Sequence, residues 1–280
     1  MHDAQKGGMK QISSLQNPLI KETLQLLDKS RNRKARNQFV AEGLNELKLC
    51  LKAGYHFQHL FFNQDSIGEH ELISWFQPFD VADQLIAVSP EVMDKLAYRS
   101  GVKNAVAVVA SRTMQIADLE KTKNPLFLVA ESVEKPGNLG ALLRSADAAA
   151  ATAVIICDPA VDLFNPNVIR SSVGCVFTVP VFAMSLAETI DYLKKEKISI
   201  YTTFMQDAEN AWDTSLQGPV ALVVGTESSG LSDQWIGTGK NINIPMFGKV
   251  DSLNVAAAAT LLLFEAARQR RGTSRKEGTQ

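Results

Sequence analysis

The chain has 280 residues, a formal net charge of −1, 45% hydrophobic and 21% charged residues, which suits a folded protein of roughly two domains and argues against a uniformly basic nucleic-acid binder while leaving local patches open. Cys50, Cys157 and Cys175 have no metal-ligand spacing, the first residues hold no signal-peptide core, and the longest apolar run, residues 255–264, is too short to span a bilayer, so a cytoplasmic protein without a metal or a membrane segment is expected. All four histidines, His2, His56, His59 and His70, lie in the first quarter of the chain; chemistry housed in the remainder needs another proton acceptor.

Residues 17–36 open with Asn17 before Pro18, a helix-start pair, and continue with Leu19, Ile20, Leu24 and Leu27 at helical spacing. The segment ends in a run of positive charge, Lys29, Arg31, Arg33, Lys34 and Arg36, which is either a solvated helix face or an RNA contact. A β/α alternation follows: strands over 38–43, 57–63, 84–89 and 105–111, with helices over 44–53, near 71–76 and from Pro90. This pattern predicts a small α/β domain over residues 10–112. Residues 113–124 are polar and read as a linker, and 273–280 as a polar tail.

Between them, over 125–272, the alternation is stronger. Strands are expected over 126–132, 153–158, 178–183, 198–204, 220–225 and 242–246, with helices including 139–150 and 186–195. Continuous apolar strands joined by helices imply a mostly parallel sheet covered on both faces, whose ligands bind beyond the carboxyl ends of the strands. Three loops there stand out. After the first strand comes ESVEKPGNLGALLRSADA, where Asn138 sits near a helix cap and Gly140 leaves space beside the face from which Arg144, four residues on, projects. After the fifth strand comes VVGTESSGLSDQW, with Gly225 and Gly230 bounding backbone N–H groups and the carboxylate of Glu227. The third stretch, residues 244–271, passes from a strand ending in Pro245 through a polar turn with Lys249, Asp251, Ser252 and Asn254 into an Ala- and Leu-rich helix. Ser252 and Asn254 are either ordinary caps or part of a ligand site. The helix is apolar on one face through Leu253, Ala256, Ala257, Leu261 and Phe264, and on another through Val255, Ala259, Leu262 and Ala266. It is expected to be wrapped by its own domain, a partner subunit or both.

These three loops, in this order, resemble the SpoU/TrmH family of RNA ribose 2′-O-methyltransferases. The resemblance rests on Asn138, Gly140 and Arg144 in NLGALLRSA, on Gly225, Glu227, Gly230 and Leu231 in GTESSGLS, and on Pro245, Met246, Gly248, Ser252, Leu253 and Asn254 in IPMFGKVDSLN. It extends to DLFNPNVIRSSVGCVFTVPV and to NRKARNQFVAEGLNEL, the latter similar to a ribosomal-protein-like RNA-binding domain. One departure is Thr226, where many members carry Asn. The resemblance implies S-adenosylmethionine as methyl donor, a deep trefoil knot in the C-terminal domain and a homodimer. By residue, it implies catalytic roles for Arg144, Asn138, Glu227, Ser252 and Asn254. It implies donor contacts from Leu222, Val224, Gly225, Thr226, Gly230, Ile244, Met246 and Leu253. Arg31, Arg33, Lys34 and Arg36 become RNA contacts. Ribosomal RNA is the favoured substrate, with transfer RNA left open.

In-line methyl transfer needs no covalent enzyme intermediate, so the protein's task is alignment and support of an alkoxide-like oxygen. Arg144 is expected either to accept the hydroxyl proton or to hold an RNA phosphate that does. The rival readings are a non-catalytic RNA-binding or ribosome-assembly factor on the same fold, base methylation through a nucleophilic cysteine, and a dehydrogenase, whose glycine fingerprint is missing.

Overall fold

A strand that is apolar along its whole length must be covered on both faces, and that requirement organises the larger part of this protein. The computed structural model describes residues 10–98, 104–226 and 229–274. The chain divides into two compact units: residues 1–113 with 164–170, and 114–163 with 171–280.

The first unit contains β1 (Lys10–Ile12), α1 (Pro18–Asp28), α2 (Ser30–Arg36), β2 (Gln38–Glu42), α3 (Leu44–Lys52), β3 (Phe57–Phe62), α4 (Glu69–Phe76), β4 (Leu85–Val88), α5 (Pro90–Leu96) and β5 (Ala105–Ala110). The strands form one sheet in the order β1-β4-β3-β5-β2, parallel from β1 to β3 and antiparallel at β5 and β2. Strand β1 has no expected counterpart; three residues are too short for an alternation to register. The Asn17 side chain caps α1 by accepting the Leu19 N–H at 2.9 Å.

In the second unit the chain runs through β6 (Leu126–Glu131), α6 (Pro136–Ala148), β7 (Ala153–Cys157), α7 (Pro166–Ser171), α8 (Cys175–Thr178), β8 (Val181–Met184), α9 (Leu186–Lys195), β9 (Ser199–Thr202), β10 (Glu209–Asn210), β11 (Val220–Val224), β12 (Lys240–Asn243) and α10 (Val255–Ser274); all of α7 but its last residue is grouped with the first unit. Every strand pair in this sheet is parallel, in the order β10-β12-β9-β11-β6-β7-β8. Strands β6, β7 and β11 are buried at every residue. Two expected strands are displaced by proline, which cannot donate to a ladder. The strand expected from Thr178 begins after Pro180, at Val181, and the one expected to reach Pro245 ends at Asn243. The expected linker is not free chain: Met114, Ile116 and Leu119 pack against the core of the second unit.

Helix α10 is covered by its own unit on one side only. Val255, Ala256, Ala259, Leu262, Leu263 and Ala266 are buried in its own unit, while Leu253, Leu261 and Phe264 are 39–47% exposed. Its far end is fastened by Arg270, whose guanidinium donates to the carbonyls of Asn124, Leu216 and Gly218.

Candidate active site

Because the second sheet is wholly parallel, the loops after its strands emerge on one edge. Strand order sets β12, β9, β11 and β6 side by side, so the loops after β6, β11 and β12 are gathered over four neighbouring strands. The sheet also changes its direction of growth at β6, between β7 and β11, the place where open α/β sheets leave a crevice.

The first and third loops are joined by side chains. Asn254 accepts the Ala256 N–H at 3.0 Å through Oδ1 and so caps α10. That commitment orients the rest of its amide, which must present Nδ2, and Nδ2 donates to Asn138 Oδ1 at 3.3 Å. Asn138 is thereby left with its own Nδ2 outward from the pair, a buried amide nitrogen without a hydrogen-bond partner. A second link, Ser145 Oγ to Thr260 Oγ1 at 2.7 Å, lies about two turns further along the same face of α6. Together the links hold α6 and α10 side by side.

The opposite face of α6 carries Gly140 and Arg144. The space expected beside Gly140 is not open: a Cβ there would lie 2.8 Å from both the Ser171 Cβ and the Ser172 backbone nitrogen. Its small size serves the packing of α6 against the turn that leads into α8, where Val173 and Gly174 both take positive φ. Arg144 is exposed, and among the described residues no carboxylate forms an ion pair with it. Its charge is felt by Cys175: burial and the neighbouring Asp147 push the thiol up to about 11 despite the Arg144 guanidinium. Burial likewise pushes Cys157 up to about 12. Both thiols are protonated at neutral pH, which speaks against cysteine nucleophiles.

The second loop is closed on itself. Thr226 and Gly230 exchange backbone hydrogen bonds of 3.0 and 3.2 Å, and the Thr226 hydroxyl bonds Ser229 Oγ at 2.8 Å. A Cβ on Gly225 would run into the Gly230 backbone, so only glycine fits beneath this bracket. The backbone N–H of Thr226, expected to meet the donor, is thus already committed. Leu222 is fully buried and paired with Leu128 on one side and Tyr201 on the other. Val224 and Gly225 lie at the carboxyl end of the strand. Glu227 lies outside the described residues.

The third loop is different. Among the described residues, those from 244 to 253 make no backbone–backbone hydrogen bond, although Ile244, Pro245 and Met246 are half-buried. Partly buried main chain with unmade bonds is suited to a polar ligand. Ser252 is exposed and donates to Asp251 Oδ1 at 3.1 Å; it does not join the Asn138–Asn254 pair.

A residue that the sequence pattern passed over holds the second loop in place. Glu131 ends β6 and is 5% exposed; its Oε2 accepts from the Ser232 N–H at 3.0 Å and from the Trp235 indole at 3.1 Å. An acid closing an otherwise apolar strand was the signal available.

In the first unit, one member of the basic run is not a surface cation. Arg33 is 4% exposed and donates to the carbonyls of Leu26 at 2.6 Å and Leu27 at 3.2 Å. It satisfies the free carbonyls at the end of α1, where Lys29 breaks the helix. Arg31, Lys34 and Arg36 are exposed, the last paired with Glu22 at 3.1 Å. No helix among the described residues is long and apolar enough to cross a membrane, and no cluster there is suited to a metal ion.

Comparison with known proteins matches residues 125–264 to the model of the SpoU rRNA Methylase family and residues 17–107 to an MRM3-like substrate binding domain. The chain is 31% identical to the 23S rRNA (uridine(2479)-2′-O)-methyltransferase of Streptomyces viridochromogenes, over 86% of each chain. It is 28% identical to the 23S rRNA (guanosine(2553)-2′-O)-methyltransferase RlmP of Bacillus subtilis, over 91% of this chain and 98% of that one. Among solved structures, an RNA 2′-O ribose methyltransferase superposes with a TM-score of 0.81 at 36% identity, covering 92% of this chain and 98% of that one. The SpoU methyltransferase AviRb from Streptomyces viridochromogenes, in complex with AdoMet, gives 0.80 at 26%, covering 90% and 98%.

Proposed function

The chain belongs to the SpoU rRNA methylase family, and from that premise we propose that it transfers a methyl group from S-adenosylmethionine to a ribose 2′-hydroxyl of ribosomal RNA. Its second unit has the fold of the solved SpoU methyltransferases, which carry a trefoil knot. The observation that carries the reading is the Asn254–Asn138 pair, which leaves one buried, oriented amide N–H without a partner where α6 and α10 begin. A factor that merely kept the fold would have no use for that donor.

The residues present fit the methyl donor. The unpaired main chain from 244 to 253 offers N–H and carbonyl groups, with Ile244, Met246 and Leu253 to hold it, above Val224 and Gly225. When bound, S-adenosylmethionine supplies an electrophilic methyl sulfonium. Asn138 Nδ2 donates to an oxygen of donor or ribose, and Asn254 positions it. Arg144, kept as a positive charge, would steady the hydroxyl oxygen as it takes the methyl group and hold an RNA phosphate, which accepts the hydroxyl proton. Glu227 and Ser252 stand as further polar contacts by family resemblance.

RNA capture is assigned to the first unit, through Arg31, Lys34 and Arg36. Replacing Arg31 and Lys34 with Ala should weaken RNA binding and flatten its salt dependence by roughly 0.7–0.9 in log–log slope for each phosphate no longer engaged. Replacing Arg33 should leave that slope alone and destabilise the first unit by about 1–3 kcal/mol, because the carbonyls at the end of α1 lose their donor. Salt-dependent binding and denaturant titrations separate the two outcomes, and an unchanged slope for the first pair would remove the patch.

A homodimer completes the reading. Leu261 and Phe264 on α10, with the exposed Ala257 and with Leu253 just before the helix, form an uncovered apolar stripe, which a second copy is proposed to cover. Leu261→Asp with Phe264→Asp should then sediment as a monomer where the unaltered protein does not. The central experiment is incubation of labelled S-adenosylmethionine with unmodified 23S ribosomal RNA transcript, followed by mapping of the modified nucleotide. Ribose methylation supports the proposal; donor binding without transfer, or label on a base, overturns it.

A further inference from the structure

Strand β9 lies between β12 and β11, so the loop after it, residues 203–208, emerges between the two loops assigned to the donor. That loop is tied to β12 by the Asn241 amide, which donates to the Gln206 carbonyl at 2.8 Å. At its tip Met205 is 66% exposed. On the adjoining loop, after β12, Phe247 is 92% exposed and Val250 64%. A bare phenyl ring in water is costly, and here it sits on the same carboxyl edge as Asn138 and Asn254. The loop that carries it is anchored by Asn254 at its far end and bears the exposed cation of Lys249 two residues further on.

We propose that Phe247, with Met205 on the neighbouring loop, is a platform on which an unpaired RNA base stacks, one adjacent to or bearing the ribose that is methylated. The proposal rests on the RNA-modifying reading above and adds the group that holds the base. Methylating a ribose inside folded RNA requires a nucleotide drawn out of its helix, and a displaced base needs a new stacking surface. A flat ring flanked by a lysine suits a base with its phosphate better than it suits a protein partner. The stripe offered to a second copy lies elsewhere, at helical spacing from Leu253 to Phe264, and Phe247 precedes it in an irregular loop.

Three variants test this: Phe247→Ala, Phe247→Leu and Phe247→Trp, each titrated with unmodified 23S ribosomal RNA transcript in direct binding and in methyl transfer. Stacking predicts that Ala and Leu both weaken RNA binding and raise the KM for RNA, by roughly fivefold to a hundredfold, while Trp stays near the unaltered protein. Sedimentation should not move. The idea is overturned if Leu restores RNA binding, since an apolar contact would then suffice, if Ala has no effect, or if Ala dissociates a dimer. Should the unaltered protein bind this RNA without methylating it, the enzymatic reading fails alone, and the binding titrations still decide the role of Phe247.

Discussion

Replacing Arg144 with Ala is expected to lower kcat by about a thousandfold while leaving the affinity for S-adenosylmethionine within about twofold. The magnitude follows from the role: a single preorganised charge aimed at a developing oxyanion contributes on the order of 10²–10³ in rate. Stability should change little, because the side chain is exposed and makes no ion pair among the described residues. The Arg144→Lys variant distinguishes the two roles left open for the guanidinium. If Arg144 had to be neutral to accept the proton, its guanidinium, which stays charged in proteins, would first have to give up its charge. Lysine, whose ammonium gives up its proton more readily, would ease that step, and the variant's rate would climb with pH. We expect instead a partly active variant with a flat profile near neutrality, because lysine keeps the charge and loses only the planar fork. Full activity in Arg144→Ala would remove this residue from the mechanism.

Much of this architecture is legible in the residues. Buried parallel strands such as LFLVAE and VALVV declare themselves by unbroken apolar runs, and α9 begins and ends where its periodicity does. Short or interrupted elements do not: β1 and β10 have three and two residues, and both misplaced strands lie within two residues of a proline. The three loops were identifiable by composition, and strand order then explains why they converge. What composition could not say is which groups are already spent. Thr226 looks like a free backbone donor until Gly230 is found opposite it. Arg33 looks like one cation of five until its guanidinium is traced to the end of α1. A hydrogen-bonding group is available to a ligand only if the fold does not use it first, and that depends on long-range neighbours. Glu131 illustrates the converse, an acid whose partners Ser232 and Trp235 lie about a hundred residues away in sequence.

Gly140 is where the sequence reading and the structure differ most usefully, and Gly140→Ala should show it. On helix propensity alone the change would stabilise α6 by about 1 kcal/mol. The added methyl, however, would stand 2.8 Å from the Ser171 Cβ and from the Ser172 main-chain nitrogen. A flexible side chain could move aside, but main chain in a turn with two successive positive-φ residues has little freedom to do so. Overpacking should therefore win, with a net loss of about 1–3 kcal/mol in denaturant titrations. Activity should fall further than stability does. Arg144 lies one helical turn from Gly140 on the same face, and a displacement of about 1 Å at a reacting group costs on the order of a hundredfold. Gly140→Ala combined with Ser171→Gly removes the side-chain clash and keeps the one with Ser172, so it should recover only part of both losses. Gly68→Ala is the control, since a Cβ there would meet nothing within 4 Å. If Gly140→Ala proved as stable and active as the unaltered protein, the close seat of α6 on residues 171 and 172 would have no part in holding Arg144.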